Sequence, residues 1–582
     1  MSAHKTLVNW REWNEQSFEV ARAENKPVLL DISATWCHWC HRIDQDTYSE
    51  PEVAAIINSE FVPIRVDNDR RPDINRRYNM GGWPTTALLT PDGRTISGGT
   101  YIPPGQMKLI LREVAEYWKR NAGKPAPEIR EEFELPQEEI RLGKLEPAIV
   151  EEIVGEVVNN YDELHGGFGQ QPKFPHTDAL ELALARHVQS GNREYLKILT
   201  RTLTAMAKGG VYDAEMGGFF RYSTNRDWSV PHFEKMTEDN AKLLRLLLAV
   251  HQVTGDSFLL QIAREVIQYV DSTLSDRANG GFYGSQDADE EYYRLRKEER
   301  LARSAPSVDK TLYSNWNGLM IASYLLASFV LNDPEPHEFA LKTLERIISL
   351  MYEPGRGFHH YYDGQRNLPS QLGDQVFMAR ALLDAFEATA ETKYLKLAEE
   401  TIAAALGQLY DQKFGGFHDA PVEANAQGFL KKPAKAIDEN SAAAIVLIRL
   451  HYLTGKEAYR NRAEETLSAF VEAYAPYGIM AADYANALEW FLKPATTINI
   501  VGDPSKPATK GLIDESWRTY QPRKVVLVLD PKRDQERILN LGYGKDDKSR
   551  AYICVGQMCL APVAEPRQIQ IQLSALATAK AS

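Results

Sequence analysis

Gly166-Gly167-Phe168, Gly217-Gly218-Phe219, Gly280-Gly281-Phe282, Arg356-Gly357-Phe358 and Gly415-Gly416-Phe417 return along one stretch of the chain, and their recurrence decides the fold. The interval is about 50 to 75 residues, a supersecondary repeat. Tyr477-Gly478-Ile479 is a weaker sixth copy. Each copy follows an amphipathic run, such as Phe258 to Leu274 or Tyr394 to Tyr410, so the glycines read as helix stops. A second punctuation alternates with the first. Ser190-Gly191-Asn192, Thr254-Gly255-Asp256, Asn332-Asp333-Pro334, Glu391-Thr392-Lys393 and Thr454-Gly455-Lys456 read as short turns between helices. Six helix pairs joined alternately by long loops and short turns predict a closed ring, the (α/α)6 toroid, over 147–494. An open solenoid is the structural alternative. Runs that are apolar nearly all round (Leu243 to Val250, Leu319 to Leu331, Ala442 to Leu450) are expected to form the inner ring.

Upstream of the ring, residues 1–120 fit one α/β domain. Its chemistry is in Trp36-Cys37-His38-Trp39-Cys40-His41, directly after the apolar run Val28-Leu29-Leu30-Asp31-Ile32. A Cys-x-x-Cys at a strand-to-helix junction puts the first thiol at a helix N-terminus, where backbone N–H groups are expected to lower its pKa. Cys37 is then the nucleophile toward a disulfide and Cys40 the resolving thiol. The same residues satisfy the Cys-x-x-Cys-His pattern of haem attachment, and structural zinc or an inert pair are further alternatives. Gly81-Gly82-Trp83-Pro84 precedes another strand-like run, Ala87-Leu88-Leu89, and Pro84 is where a cis X-Pro bond is expected. Together these features resemble the thioredoxin fold, whose cis-proline loop lies against the Cys-x-x-Cys.

Residues 121–146, rich in Pro, Glu and Lys, read as a linker. Residues 495–582 carry three strand-like runs, Thr497 to Val501, Val525 to Leu529 and Ala551 to Val555, and read as a small α/β C-terminal region. Cys554 and Cys559 there read as two small core residues, or as an internal substrate of Cys37.

The chain has 582 residues, 43% hydrophobic and 25% charged, with a formal net charge of −13. That composition is soluble and globular, and the acidic balance argues against nucleic-acid binding. No run reaches membrane-spanning length, no signal peptide is read, and no cofactor or metal is expected; the expected compartment is the cytoplasm.

In a toroid the long loops share one rim, so their polar residues should converge on a funnel. Trp228, His232, Glu234, Asp287, Asp289, Trp316, Asn317, Asp374 and Asp438 are the candidates. Aromatic platforms among carboxylates and histidines suit a sugar ring. Paired carboxylates serve glycoside hydrolysis, and histidines move protons beside a carbonyl. His232 and Glu234 are the expected catalytic pair, the others substrate-binding. Asp239, Asp374 and Asp438 stand near helix starts, where a carboxylate equally well caps free N–H groups.

These residues, with Gly98-Gly99-Thr100-Tyr101, Pro172-Lys173-Phe174-Pro175, Pro231-His232-Phe233-Glu234-Lys235-Met236 and Ser314-Asn315-Trp316-Asn317-Gly318-Leu319, resemble the spermatogenesis-associated protein 20 family over nearly the whole chain. The resemblance implies a thioredoxin-like domain followed by a ring like those of N-acylglucosamine 2-epimerases and six-hairpin glycosidases. This member is shorter before Gly81, and after Asp289 keeps only Glu290-Glu291-Tyr292-Tyr293 of an acidic stretch. The leading expectation is a thiol–disulfide oxidoreductase acting on a disulfide-containing protein partner, fused to a sugar-binding-type toroid. The alternatives are a carbohydrate-active epimerase or hydrolase acting on a carbohydrate-like small molecule, and a non-catalytic binding scaffold.

Overall fold

The computed structural model describes residues 6–121, 142–544 and 548–579. The linker expected over 121–146 lies for the most part outside them. The N-terminal sheet comprises β1 (Val28–Ser33), β2 (Val62–Asp67), β3 (Thr85–Leu89) and β4 (Thr95–Gly99), in the order β2-β1-β3-β4. β1 pairs in parallel with β2 and antiparallel with β3, which is why its apolar residues are continuous rather than alternating. Helices cover both faces, and two apolar clusters, one around Leu29, Tyr48 and Leu111, the other around Phe18, Leu30 and Ile64, hold them there.

The ring is closed. Its inner helices are Thr177–Ser190, Thr237–Thr254, Ser314–Leu331, Leu372–Thr389, Ile437–Thr454 and Ala482–Leu492, here called first to sixth. The sixth packs against both the first and the outer helix Pro147–Asn159, which completes the circle. The first five inner helices end on left-handed residues, Gly191, Gly255, Asn332, Ala390 and Gly455, and turn sharply outward there.

The repeated glycines close small hairpins. In the second repeat the N–H of Asp213 donates to the carbonyl of Gly218 at 3.0 Å, and the N–H of Gly217 to that of Asp213 at 2.7 Å. Gly218 has φ +80°, and a Cβ there would run into the Tyr269 ring, so this turn needs glycine. Asp162, Asp276 and Asp411 head the same pattern. A cation then locks each loop, buried in the first two and half-buried in the others: Lys173 on Asp162 at 2.7 Å, Lys235 on Asp213 at 2.7 Å, Arg346 on Asp276 at 2.7 Å and Lys435 on Asp411 at 2.9 Å. The repeat's Phe is clamped by an amide from the next inner helix. Asn240 accepts the Phe219 N–H at 2.8 Å and donates to the Phe219 carbonyl at 3.1 Å. Asn440 serves Phe417 and Gln375 serves Phe358 in the same way. Asn317 belongs to this set: it accepts from Phe282 N–H at 2.8 Å and donates to Phe282 and Tyr313 carbonyls. Its donors and acceptor are consumed by backbone, so it is a loop clamp and not the substrate ligand expected.

The C-terminal region contains a sheet whose central strand, Thr496–Val501, runs parallel to Lys524–Leu529 and antiparallel to Arg550–Val555, with Met558–Cys559 beyond. This is the strand order and direction of the N-terminal sheet. Cys554 and Cys559 face each other across the last hairpin and form a disulfide, which corrects the expectation of two small core thiols.

Candidate functional site

Cys37 caps the helix His38–Asp46, and its Sγ accepts the N–H of Cys40 at 3.3 Å. Both thiols are free, and the Trp83–Pro84 peptide is cis. Each cysteine is only 2% exposed, because the toroid rim lies over them. Met236, Tyr313 and Trp316 from the ring pack with Ala34, Trp36, Cys37 and Cys40. The Arg221 guanidinium sits 4.8 Å from the Trp36 ring and 4.7 Å from the Trp83 ring, a double cation–π contact. Below it Glu234 is fully buried. One of its oxygens lies 2.9 Å from His232 Nδ1 and the other 4.0 Å from Arg221 Nη1, yet neither receives a well-aligned hydrogen bond. His232 stacks on Tyr222 at 4.9 Å.

The expected activation of Cys37 is reversed by this setting. Burial, the Cys40 thiol and the Glu234 charge push the Cys37 thiol well above its ordinary pKa, outweighing the donated Cys40 N–H.

Ion pairs fasten the two parts around the thiols. Arg77 meets Asp419 at 2.7 Å, Arg76 meets Glu439 at 2.8 Å and Arg70 meets Asp363 at 2.9 Å. His360 lies between the Asp374 carboxylate, 2.9 Å from Nδ1, and the Asp69 carbonyl, 2.6 Å from Nε2. Both contacts require an N–H, so the ring is held as imidazolium. Although burial opposes it, the Asp374 charge accordingly raises the His360 pKa. His41 contacts Asp287 at 3.3 Å, and both line a side cavity of about 350 Å³ beside Cys40.

A larger cavity of about 680 Å³ follows the ring axis. Trp36, Asp69, Arg76 and Trp83 of the N-terminal domain wall one end; Trp517, Tyr520, Arg523 and Lys524 of the C-terminal region wall the other. Between them the inner helices present one residue per turn. The second helix gives Glu238, Lys242 and Arg245; the fourth gives Arg380, Asp384 and Glu387. The spacing i, i+4, i+7 is one helical face turned to the axis.

Acids crowd the axis beneath the N-terminal domain, with Glu181 reaching furthest toward Arg380. Asp178, Glu181, Asp239, Asp438 and Asp483 make no side-chain hydrogen bond or ion pair among the described residues. None caps its helix, although four of the five stand in a first turn. Two cations of this wall are already engaged, Lys242 with Glu238 at 2.8 Å and Arg76 with Glu439. Burial and then Glu238 lift Asp239 to about 7. Burial and Asp178 push Asp483 well above the usual carboxyl range, and burial lifts Glu439 to about 7 against the pull of Arg76. Such carboxyls hold protons near neutral pH. No group of three or more His, Cys, Asp or Glu among the described residues has metal-holding geometry.

The expected site residues therefore scatter. Trp316 and Asp438 line the axial cavity. Cys37, Cys40, His232 and Glu234 form the buried layer above it, and His232 and Glu234 do not reach the axis as the funnel reading required. Asp374 is spent on His360, and Asp287 faces the side cavity. Trp228 is fully buried, its indole N–H donating to the Gly166 carbonyl at 3.2 Å and its ring 5.2 Å from the Lys173 ammonium, so it cannot stack a sugar. Asp289 is an exposed helix cap, accepting the Tyr292 N–H at 2.9 Å. The residues missed were the axial charges, above all Glu181, Lys242, Arg245, Arg380 and Arg449; each interrupts an otherwise apolar helix, and that was the available signal.

A family model described as Thioredox_DsbH, protein of unknown function, DUF255, matches residues 1–134. The human spermatogenesis-associated protein 20 is 26% identical, with 97% of this chain and 89% of that protein covered. Thioredoxin-1 of Drosophila melanogaster is 28% identical over 16% of this chain and 82% of its own. Among solved structures, the cellobiose 2-epimerase of Bacillus thermoamylovorans superposes with a TM-score of 0.48 at 11% identity, covering 59% of this chain and 99% of the epimerase. No helix of the described residues is long and apolar enough to cross a membrane. Over 97% of its length, from the dithiol domain through the ring to the C-terminal region, this chain is similar to spermatogenesis-associated protein 20.

Proposed function

We propose that the protein is an acid–base enzyme acting on a small polyhydroxylated molecule held on the toroid axis. One observation carries this reading: a cavity of about 680 Å³, walled at both ends, lined by carboxyls without partners and by the aromatic residues Trp36, Trp83, Phe174 and Trp316. The volume is that of a ligand site, and the lining pairs apolar platforms with hydroxyl-binding groups. Asp483 is the proton donor in this reading, since burial and Asp178 keep its proton on. Asp239 is the second acid–base group. The dithiol domain is then a lid whose Trp36 and Trp83 complete the wall.

The test is turnover of a panel of reducing mono- and disaccharides, followed by chromatography with mass detection. Wild type is expected to form product, and Asp483→Asn to lose it by about 100-fold or more. Product formation unchanged in Asp483→Asn would remove the acid–base assignment.

A second reading, thiol–disulfide exchange by Cys37 and Cys40, is supported by the reduced pair at a helix N-terminus. It requires the rim to lift, because a protein disulfide cannot reach thiols that are 2% exposed. A mixed disulfide trapped on Cys40→Ser from the folded protein would favour it.

A further inference from the structure

The far end of the axial cavity holds two cations, Arg380 and Lys524, that make no ion pair among the described residues. Asp384 is shared by two arginines, Arg449 at 2.7 Å and Arg245 at 3.3 Å. Glu387 is taken by Arg449 at 2.6 Å and by the Val526 N–H at 3.0 Å. Glu489 is taken by Arg523 at 2.9 Å. Arg380, on the same helical face and facing the same space, is left with no hydrogen bond or ion pair among the described residues. Lys524, on the wall of the same cavity, donates to the carbonyls of Ser516 and Thr519. With Glu181, a wall carboxylate whose charge acts on Arg380 without pairing to it, this end carries five cations against four carboxylates.

A guanidinium that feels Glu181 and Asp384 but pairs with neither is expensive in such a site unless an anion meets it. Burial, with Arg245 as the next cause, indeed depresses the Arg380 pKa. The helix dipole does not account for the residue, because Arg380 stands more than two turns before the helix end at Thr389, beyond the reach of the terminal partial charge. The planar fork of Arg suits two oxygens of one phosphate or carboxylate group.

We propose that Arg380 and Lys524 form an anion subsite, which makes the substrate class a polyol bearing a phosphate or carboxylate group. Its hydroxyls meet the axial carboxyls and its oxyanion reaches the Arg380 end. This rests on the reading of the cavity as a polyol site and adds the charge that the substrate must carry.

The experiment is calorimetric titration of the full-length protein and of Arg380→Gln with glucose 6-phosphate, glucuronate, glucose and inorganic phosphate, at constant ionic strength. Wild type is expected to bind one of the two anionic sugars at least about tenfold more tightly than glucose, the difference a charge-assisted bond supplies. Arg380→Gln should erase that preference without lowering thermal stability, and which sugar responds identifies phosphate or carboxylate as the anion. Equal binding of glucose and both anionic sugars, or anionic binding unchanged in Arg380→Gln, overturns the subsite and leaves the polyol site standing. Arg380-dependent binding of phosphate with no sugar bound upholds the subsite and removes the polyol reading. Binding of none of the four overturns both.

Discussion

Asp162 and Asp213 lie in the loop hairpins, Asp239 and Asp483 on the axis, and the same side chain serves opposite ends in the two places. The loop carboxylates are buried with cations against them: Lys173 and Arg226 on Asp162, Lys235 and Arg300 on Asp213. Burial alone would raise them, but those partners outweigh it and hold both below the usual carboxylate range. The axial pair has the burial without the partners, and moves the other way. Within one ring, then, a carboxylate that is fully paired builds the loop, and one left unpaired over a cavity is available for chemistry.

The largest effect is expected where the pairing is removed. Asp213→Asn leaves Lys235 and Arg300 buried without their charge partner and should destabilise the protein by about 3–5 kcal/mol, read as a shift in the denaturant midpoint. A loss below about 1 kcal/mol would mean that the hairpin ion pairs are no better than surface ones. Next comes the clamp that shares the same loop. Asn240→Ala strips the Phe219 N–H and carbonyl of their partner and should lose about 1–3 kcal/mol.

A smaller effect, of opposite sign, is expected on the axis. The folded-state pKa of Asp239 is about 7, above the unfolded carboxyl value of about 4. The folded chain therefore binds the extra proton between those limits, and the stability contributed by Asp239 falls as pH rises through that window. Asn cannot ionise. Asp239→Asn should thus raise the unfolding midpoint at pH 8 relative to wild type and leave it unchanged at pH 4; a variant destabilised at pH 8 would break the contrast. The smallest effect concerns Glu234, a carboxylate between the two classes. Alkylation of Cys37 should show a midpoint above the free-thiol value of about 8.5, and Glu234→Gln should lower it by removing a neighbouring negative charge. A wild-type midpoint below 8.5 would restore an activated thiol.

The ring was legible because its loops need glycine and phenylalanine at fixed places, and a period survives in sequence even when helix faces do not. Asp213 and Asn240 were on view in the same repeats, but the pairing of Asn240 with a loop one helix back is a tertiary fact. The funnel residues were harder. Trp228 and Glu234 lie in one loop, and nothing in their spacing says that the indole turns into the core while the carboxylate turns toward Cys37. The axial charges were hidden for a different reason: Glu181, Arg380 and Arg449 stand singly in apolar runs, and only the closed ring brings them to one axis. The dithiol motif was plain, but its burial was not, since that depends on Met236, Tyr313 and Trp316 from a distant part of the chain.

The most direct measurement is a pH titration of carboxyl ¹³C shifts in aspartate-labelled protein, with Asp162 and Asp239 assigned by Asn substitution. An Asp239 midpoint near 7 beside an Asp162 signal still ionised well below pH 4 is the expected result. Both residues titrating together near the ordinary carboxyl value would contradict the division between paired loops and an unpaired, proton-holding axis.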